Sequence, residues 1–305
     1  MTNGLIHTVY WLRHAGQRLG LVPSLGGGVA AWTLERPDGA LDLLRPWDGK
    51  NTDRYSLASF PMVPWSNRIG GGGFTQNGNH YPIALNRTGE PYPIHGDGWL
   101  QLWTLRQPAA DALEMALESD CFDGNPYQYS ALQRFVLRDN GMDQTLSVTH
   151  RGKQALPYGL GQHPWFMRTP QTRLQANVKG VWLSGKDPMP LAHSPRFPPS
   201  WDLPNGLNVN GTLVDNAFTG WNGSAQIHWP EHQLQLEMRV PELLERSTPD
   251  GFCLLYRPPQ GPAFCFEPVS HPIDAFNLAD QPGVRVLQPG ETLTLHVEWR
   301  LGRLY

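Results

Sequence analysis

The feature that most constrains this chain is a succession of strand-length alternating segments separated by turn sequences. Turn dipeptides such as Asn77-Gly78 and Asn140-Gly141 connect neighbouring segments, which gives six strand–turn–strand units along the chain. Alternating apolar and polar residues joined by short turns are typical of antiparallel hairpins. Only "PELLER" at 241–246 has a brief helical pattern. The chain is therefore predicted to be all-β, with hairpins in residues 7–24, 30–47, 72–83, 131–152, 225–240 and 252–268.

The stretch 184–212 is the one long interruption of this pattern. It is rich in Pro, Gly and Asn and predicts a long connection or a pair of irregular excursions. The segments on either side have the same hairpin character, so we interpret it as a loop and not as a domain boundary. All-β sandwiches often exceed 200 residues as one unit. We expect one large antiparallel β-sandwich domain over residues 1–305.

Charge and cysteine content narrow the class of function. The net charge is -3 and there is no block of Lys and Arg, which argues against a nucleic-acid or membrane surface and suits a neutral small substrate. The first 20 residues contain no signal peptide or membrane span, so a cytoplasmic location is expected. Cys121, Cys253 and Cys265 have no metal-type spacing, and reduced thiols are favoured over a Cys253–Cys265 bridge. The sequence leaves the oligomeric state open.

An arginine stands in the apolar and aromatic run "PWSNRI". Arg68 follows Asn67, and a buried guanidinium needs oxygen acceptors. Either a protein carboxylate or a ligand supplies them, and both alternatives stay open here. The glycines at 70–73 resemble a phosphate-binding loop superficially, but a strand and hairpin follow them in place of a helix.

Two histidines occupy open, glycine-rich surroundings. His95 precedes Gly96 in "PIHGDGW", and His163 lies in "GLGQHPWF". Each is a candidate ligand contact, although a hydrogen-bonded structural role is the commoner one for such a residue. The aromatics after His163, Trp165 among them, suit either core packing or a wall for the apolar face of a sugar.

Two carboxylates complete the candidate set. In "AFCFEP", Cys265 and Glu267 share one strand face, and Pro268 is expected to end the strand there. Glu267 would be either solvated or raised in pKa. Asp215 in "VDNAFTGW" is a candidate as well, with a turn-stabilising role as the alternative.

No spacing in the chain predicts a metal, a cofactor or a covalent nucleophile. His228 and His232 flank Pro230 in a hairpin turn, so the helical geometry of a zinc protease is unavailable. Prolines likewise interrupt the stretch from Glu267 to His271. A GxSxG elbow is absent from the sequence.

These blocks, taken in order, resemble the aldose 1-epimerase (galactose mutarotase) family. The segment from "SNRIGGGGF" to "IHGDGW" is similar to the family's Asn-Arg and His-Gly blocks, and "GQHPWF", "VDNAFTGW" and "FCFEPVSHPIDAFN" follow in the family's order. The resemblance covers residues from about 60 to 290 and implies the galactose mutarotase-like β-sandwich. Around His163 and after Glu267 the residues differ from those of the best-known members, which indicates a divergent bacterial-type branch.

The resemblance also implies roles for individual residues and an activity without cofactors. Glu267 falls at the position of the family's general base and His163 at that of its general acid, facing each other across one pocket. The implied activity is interconversion of the anomers of a free aldose. A non-catalytic sugar-binding module is one alternative; the other is a hexose-phosphate 1-epimerase, for which Arg54 and Arg87 would supply cations if they are not simply solvated. The positions implied to hold the monosaccharide are Asn67, Arg68, His95 and Asp215, with Trp165 as a candidate stacking residue.

Overall fold

The fold is built almost wholly of strands. The computed structural model describes residues 7–304, apart from the side chains of residues 107 and 108. Residues 1–6 of the N-terminal stretch considered above lie outside this range. The strands in chain order are β1 (Tyr10–His14), β2 (Gln17–Val22), β3 (Gly28–Arg36), β4 (Gly39–Asp42), β5 (Pro61–Met62), β6 (Gly73–Gln76), β7 (Asn79–Pro82), β8 (Thr104–Ala109), β9 (Ala112–Asp120), β10 (Gln128–Arg138), β11 (Gly141–His150), β12 (Leu156–Tyr158), β13 (Gly161–Gln162), β14 (Trp165–Met167), β15 (Arg173–Ala176), β16 (Gly180–Ser184), β17 (Pro190–Ser194), β18 (Leu207–Asn208), β19 (Val214–Trp221), β20 (Ser224–Trp229), β21 (Leu234–Arg239), β22 (Gly251–Arg257), β23 (Ala263–Val269), β24 (Arg285–Leu287) and β25 (Thr292–Arg303).

Helical structure is confined to single turns. One α-helical turn, α1 (Pro241–Leu244), falls inside the segment predicted to be briefly helical. No helix in the described part of the chain has the length and apolar character that crossing a membrane requires. The 3₁₀ turns are Arg54–Ser56, Gly98–Leu100, Phe122–Gly124, Pro199–Trp201 and Pro230–His232.

Two large antiparallel sheets carry most of the strands. The nine-stranded sheet has the order β18-β15-β20-β21-β25-β11-β10-β9-β8. The eight-stranded sheet has the order β17-β16-β19-β22-β23-β13-β5, with β14 also pairing with β23. A four-stranded sheet (β1 to β4) and the pairs β6-β7 and β12-β24 complete the fold. The prediction of a large antiparallel β-sandwich is thus confirmed.

All six predicted hairpins form, since each is an antiparallel pair of consecutive strands: β1-β2, β3-β4, β6-β7, β10-β11, β20-β21 and β22-β23. Burial alternates along β20 and along β11 from Met142 onward, because one face of the nine-stranded sheet packs inward and the other meets solvent. The stretch 184–212 differs from a plain loop. It contains β17 and β18, which extend the edges of the eight- and nine-stranded sheets respectively.

The main core lies between the two large sheets. Phe135 and Trp299 of the nine-stranded sheet and Phe264 and Phe266 of the eight-stranded sheet belong to one buried cluster. The rings of Phe166 and Trp299, on opposite sheets, have centroids 5.8 Å apart. The face of β23 that carries Phe264 and Phe266 is therefore the core face, as the alternation along "AFCFE" predicts.

Strand β23 is buried on both faces along its whole length. The prediction that it ends at Glu267 is wrong, because Pro268 and Val269 continue the pairing with β22. The N–H of Ser270 donates to the Leu160 carbonyl, on the side of β23 that pairs with β13 and β14. The nitrogen of Pro268, two residues earlier, points to the same side. The pairing on that side is interrupted between β13 and β14, so the missing N–H of Pro268 leaves no acceptor without a donor.

The three cysteines are free thiols, as favoured from the sequence. Cys253 and Cys265 are buried and Cys121 is exposed. Cys253 belongs to the main core, whereas Cys265 packs with Trp165 on the opposite face of the eight-stranded sheet.

Candidate active site

The seven residues singled out in the sequence all line one cavity of about 260 Å³. The cavity lies on the face of the eight-stranded sheet that points away from the main core. Strands β19, β22 and β23 supply its floor, and the loops after β5 and before the Gly98–Leu100 turn supply its wall. The lining residues are Asn67, Arg68, His95, His163, Trp165, Asp215 and Glu267, together with Tyr55, Glu90, Ile94, Leu213 and Tyr256.

A carboxyl and an imidazole meet at the bottom of this cavity. Nε2 of His163 lies 3.4 Å from Oε1 of Glu267. The two residues are 4% and 2% exposed. Their other polar atoms, Nδ1 of His163 and Oε2 of Glu267, have no hydrogen-bond partner within the described chain. The groups are neighbours on one wall instead of facing each other across the cavity, and two polar atoms remain available to a ligand.

Burial acts on both members of the pair. It raises the pKa of Glu267 well above its usual value, and the negative charge of Asp215 adds to the effect while Arg68 opposes it. Burial also lowers the pKa of His163 to about 3. In both cases the apolar surroundings disfavour the charged form. These surroundings therefore favour a neutral carboxylic acid beside a neutral imidazole.

The interruption between β13 and β14 positions His163. The main-chain N–H of His163 bonds the carbonyl of Phe60, away from β23, and the N–H of Trp165 bonds Ala58. The His163 ring stacks on the Phe60 ring with centroids 4.5 Å apart and an interplanar angle of 23°. The residue thus leaves the ladder with β23 while its ring is fixed beside Glu267.

Arg68 is held by two carboxylates. Its Nε and Nη2 donate to the two oxygens of Glu90 at 3.0 and 3.4 Å, and Nη1 donates to Asp215 at 3.3 Å. Burial opposes the charged guanidinium, but Asp215 and Glu90 outweigh it and raise the pKa of Arg68. Burial raises the pKa of Asp215, and Arg68 moderates that rise. Of the two alternatives left open by the sequence, protein carboxylates meet the guanidinium, at the edge of the cavity where a ligand can also reach it.

Asn67 and His95 hold two loops together by reciprocal bonds. The N–H of Asn67 donates to Nδ1 of His95 at 3.1 Å, and the N–H of His95 donates to the Asn67 carbonyl at 2.9 Å. Both residues have left-handed backbones, with φ of 52° and 62°. Because Nδ1 accepts, Nε2 of the neutral ring carries the hydrogen and is a donor for a ligand. Burial, followed by the proximity of His163, lowers the pKa of His95 and keeps the ring neutral.

Trp165 forms one side of the cavity. The guanidinium carbon of Arg45 lies 4.1 Å from its ring centroid, and Tyr256 meets it edge-on at 5.6 Å. Two further tryptophans, Trp65 and Trp221, lie in the main core and not in this cavity.

The glycines at 70–73 do not present an anion site. The N–H of Gly70 donates to the carboxylate of Asp274 at 2.8 Å and the N–H of Gly73 donates to the carbonyl of Gly70, so neither is free for an external anion. Both ring nitrogens of His271 engage main-chain groups, of Ser66 and Pro272. His271 therefore serves the loop structure beside the site.

Sequence reasoning missed five lining residues, among them Glu90 and Tyr256. Tyr256 could have been found, because the hairpin of β22 and β23 pairs it with Cys265, two residues from Glu267. Asp215 pairs with Tyr256 in turn, so three neighbouring strands align these side chains. Glu90 lies in a segment without regular structure, and no periodicity in the sequence signals its approach to Arg68.

Fold and site together define an antiparallel β-sandwich protein with a buried carboxyl–imidazole pair in a polar cavity. The family model described as aldose 1-epimerase matches residues 8–300. The chain belongs to the aldose 1-epimerase family, as the sequence blocks predicted.

Relatives of known sequence or structure agree with this assignment. The chain is 32% identical over 302 residues to the uncharacterized protein YphB of Escherichia coli K12, covering 96% of this chain and 99% of that one. The crystal structure of a putative aldose 1-epimerase from E. coli K12 is similar with a TM-score of 0.89 at 29% identity, over 97% of this chain and 99% of that chain. A galactose mutarotase-like protein from Clostridium acetobutylicum has a TM-score of 0.84 at 17% identity over 97% and 96% of the two chains, a likeness of fold alone. Family and fold support a mutarotase-like enzyme acting on a sugar.

Proposed function

We propose that this protein is a mutarotase that interconverts the α and β anomers of a free aldose by general acid–base catalysis. The observation that carries the proposal is the 3.4 Å separation of His163 Nε2 and Glu267 Oε1 at the bottom of a polar cavity. The two oxygens that exchange protons in this reaction, O1 and the ring oxygen O5, are both bonded to C1. An acid and a base that lie side by side suit such neighbouring atoms.

Ring opening then needs two proton transfers and one bond cleavage. The Glu267 carboxylate takes the proton of the O1 hydroxyl while the His163 imidazolium gives a proton to O5, and the C1–O5 bond breaks to leave an aldehyde. Rotation about the C1–C2 bond presents the other carbonyl face, and the same steps in reverse close the ring. Each aligned group contributes about 10² to 10⁴-fold to the rate.

The buried setting favours the neutral form of the pair formed by Glu267 and His163. Glu267 begins as carboxylate and His163 as imidazolium, and after the two transfers both are neutral. Burial raises the pKa of the carboxyl and lowers that of the imidazole to about 3, so the neutral pair is the state that the cavity stabilises. The number of protons on the pair is the same in both states. Ring opening therefore begins only once contacts with the sugar stabilise the charged pair, and it proceeds without a net proton exchange with solvent.

The remaining polar groups would hold the sugar. In this proposal Nε2–H of His95 and the Arg68 guanidinium donate to sugar oxygens, and Asp215 accepts from hydroxyls. Asn67 supports this set because its carbonyl and its N–H both bond His95. Trp165 offers a ring beside the cavity against which the apolar face of the sugar packs. Fixed donors of this kind reduce the entropy cost of reaching the reactive pose.

The charge of the cavity favours a neutral sugar over a phosphorylated one. Among the lining residues Arg68 is the one cation, and Glu90 and Asp215 already share it. Arg87 pairs with Asp53 at 3.0 Å, and neither Arg87 nor Arg54 lines the cavity. A hexose phosphate would bring a dianion toward two carboxylates.

The test is a comparison of Glu267→Gln with the unaltered protein and with Glu242→Gln, a matched change on the exposed side of α1. Fresh α-glucose and α-galactose are added, and the change of optical rotation is followed. We expect loss of at least about 100-fold in kcat for Glu267→Gln and none for the control. Retained activity in Glu267→Gln would contradict the assignment, and an unaltered protein that binds sugars without speeding the exchange would be a binding module. Arabinose, fucose and glucose 6-phosphate extend the panel to the preferred aldose and to phosphorylated sugars.

A further inference from the structure

Three side chains with different metal-binding chemistry meet beneath the candidate sugar site. The ligand atoms of His163, Cys265 and Glu267 all lie within 4.8 Å of one another, and all three residues are buried. We propose that this triad binds a divalent transition metal of the zinc class and that the bound ion blocks the site. The metal binding is independent of the proposed mutarotase function. The blocking of catalysis rests on that proposed function.

The sheet register fixes the three donors on one face. Cys265 and Glu267 are two residues apart on β23 and so point the same way. Trp165 pairs with Cys265, and His163 comes two residues before Trp165 along the antiparallel neighbour, which brings its ring next to Glu267. The cluster is therefore positioned by β23 and by the short detour between β13 and β14 that carries His163.

The donor set suits zinc in kind and in spacing. Thiolate, imidazole and carboxylate are the three ligand types that zinc takes in proteins, and three protein ligands leave a fourth position open. Bond lengths near 2.0 to 2.3 Å place the ligand atoms of a tetrahedral zinc site about 3.3 to 3.8 Å apart. The ligand atoms of the triad lie within 4.8 Å of one another, so small side-chain rotations bring them to that spacing.

Charge and access also fit an ion at this place. A thiolate and a carboxylate neutralise a divalent ion, so the loaded cluster carries no net charge in its buried surroundings. Burial raises the pKa of Cys265, but a coordinated metal removes the thiol proton outright. His163 and Glu267 line the cavity, and Cys265 lies beneath them. The ion would enter through the cavity, with its open position toward the sugar.

The second cluster of this kind differs in one decisive respect. The ligand atoms of Asp143, His296 and Glu298 also lie within 4.8 Å, but Asp143 already bonds Arg138 at 2.7 Å and Arg300 at 2.6 Å. In contrast, Oε2 of Glu267 has no partner within the described chain. Both oxygens of Asp143 are thus held by arginines, whereas the buried cluster offers an unbonded oxygen of Glu267.

The binding test uses Co²⁺ as a spectroscopic substitute for zinc, added to the full chain in a Cys121→Ser background that removes the exposed thiol. With a non-chelating reductant present, we expect one equivalent of Co²⁺ to give tetrahedral visible bands and a thiolate-to-cobalt charge-transfer band. Cys265→Ala should abolish the charge-transfer band and weaken binding at least about 100-fold, with Cys265→Ser as a second variant if alanine prevents folding. Cys253→Ala is the matched control, because that buried cysteine faces the main core on the other side of the sheet. A missing charge-transfer band, or one that survives both Cys265 variants, overturns the proposal.

The blocking test is separate and does not decide whether the metal binds. Zn²⁺ should raise the KM for the sugar in the Cys121→Ser protein. The inhibition constant for Zn²⁺ should be at least about 100-fold higher when Cys265→Ala is added. The rate of each protein in Zn²⁺ is compared with the rate of the same protein without zinc. Bound Co²⁺ together with undiminished mutarotation in excess Zn²⁺ would refute the blocking. If the protein proves to have no mutarotase activity, the cobalt spectra still establish or refute the metal site.

Discussion

The N–H of Asn67 donates to Nδ1 of His95 over 3.1 Å, while His95 returns a bond from its own N–H to the carbonyl of Asn67. Each of the two residues thus fixes the loop of the other. The pairing also decides which ring nitrogen of His95 faces a ligand as a donor.

His95→Asn tests this arrangement. Asparagine tolerates the left-handed backbone at this position, and its side-chain oxygen can accept the Asn67 N–H, but the Nε2–H donor is lost. We expect a loss of about 1 to 2 kcal/mol in the free energy of unfolding from the lost ring contacts. We also expect a rise of about 10-fold in KM, the equivalent of one lost hydrogen bond. Denaturant unfolding and steady-state polarimetry measure the two effects. An unchanged KM would remove His95 from the set of sugar contacts.

Arg68→Met should be destabilising in a pH-dependent manner. The substitution leaves Glu90 and Asp215 without their cation, and removing one partner of a buried pair costs about 3 kcal/mol. Without Arg68 the pKa of Asp215 rises further. At pH 5 more of the buried Asp215 is protonated and uncharged than at pH 7, so the free-energy cost of its buried charge is smaller at pH 5. The loss of unfolding free energy should therefore be larger at pH 7. An equal loss at both pH values would show that the two carboxylates do not depend on the guanidinium.

Gly96→Ala should disturb the loop that carries His95. Gly96 has φ of 69°, and a Cβ there would lie 2.1 Å from the carbonyl oxygen of Val63. Gly89 has φ of 86°, and a Cβ there would meet no atom within 4 Å. We expect Gly89→Ala to cost about 1 kcal/mol from the backbone alone and Gly96→Ala at least about 3 kcal/mol. Thermal unfolding of the two variants compares them, and equal costs would mean that the contact with Val63 is readily relieved.

The buried His271 should make stability depend on pH in the mildly acid range. Burial lowers its pKa from 6.5 to about 4. The unfolded chain takes up the proton first, so the stability due to the neutral ring is complete above pH 6.5 and is lost as the pH falls toward 4. The total is about 3 kcal/mol for one group. The slope of unfolding free energy against pH gives the number of protons taken up on unfolding. His271→Gln should lower that number by up to one compared with the unaltered protein. His80→Gln, a change at an exposed histidine, is the control and should leave the slope unchanged. A parallel slope in His271→Gln would contradict this account.

The sequence predicted the hairpins well because their signal is local. Turn residues and alternating polarity are legible within about ten residues, and each pair such as β22 and β23 forms where its turn indicates. The end of β23 was predicted wrongly, because whether Pro268 breaks a ladder depends on a neighbouring strand more than 100 residues away.

The site was predictable in part for a related reason. Arg68, His163 and Glu267 stand in segments whose residues match family blocks, and all three line one cavity. The approach of Glu90 to Arg68 is a product of tertiary packing, and no local pattern encodes it. The side-by-side placement of His163 and Glu267 likewise depends on pairing between distant strands.

The gap between β13 and β14 has a consequence for how such proteins diversify. A side chain in a regular strand can change direction only if the hydrogen-bonded pairing of the strand shifts. His163 and Pro164 instead lie in a short unpaired segment between β13 and β14, which both pair with β23. Exchanges within this segment can redirect the reactive group while the surrounding scaffold keeps its shape. One part of the molecule can thus acquire new chemistry at little risk to the rest.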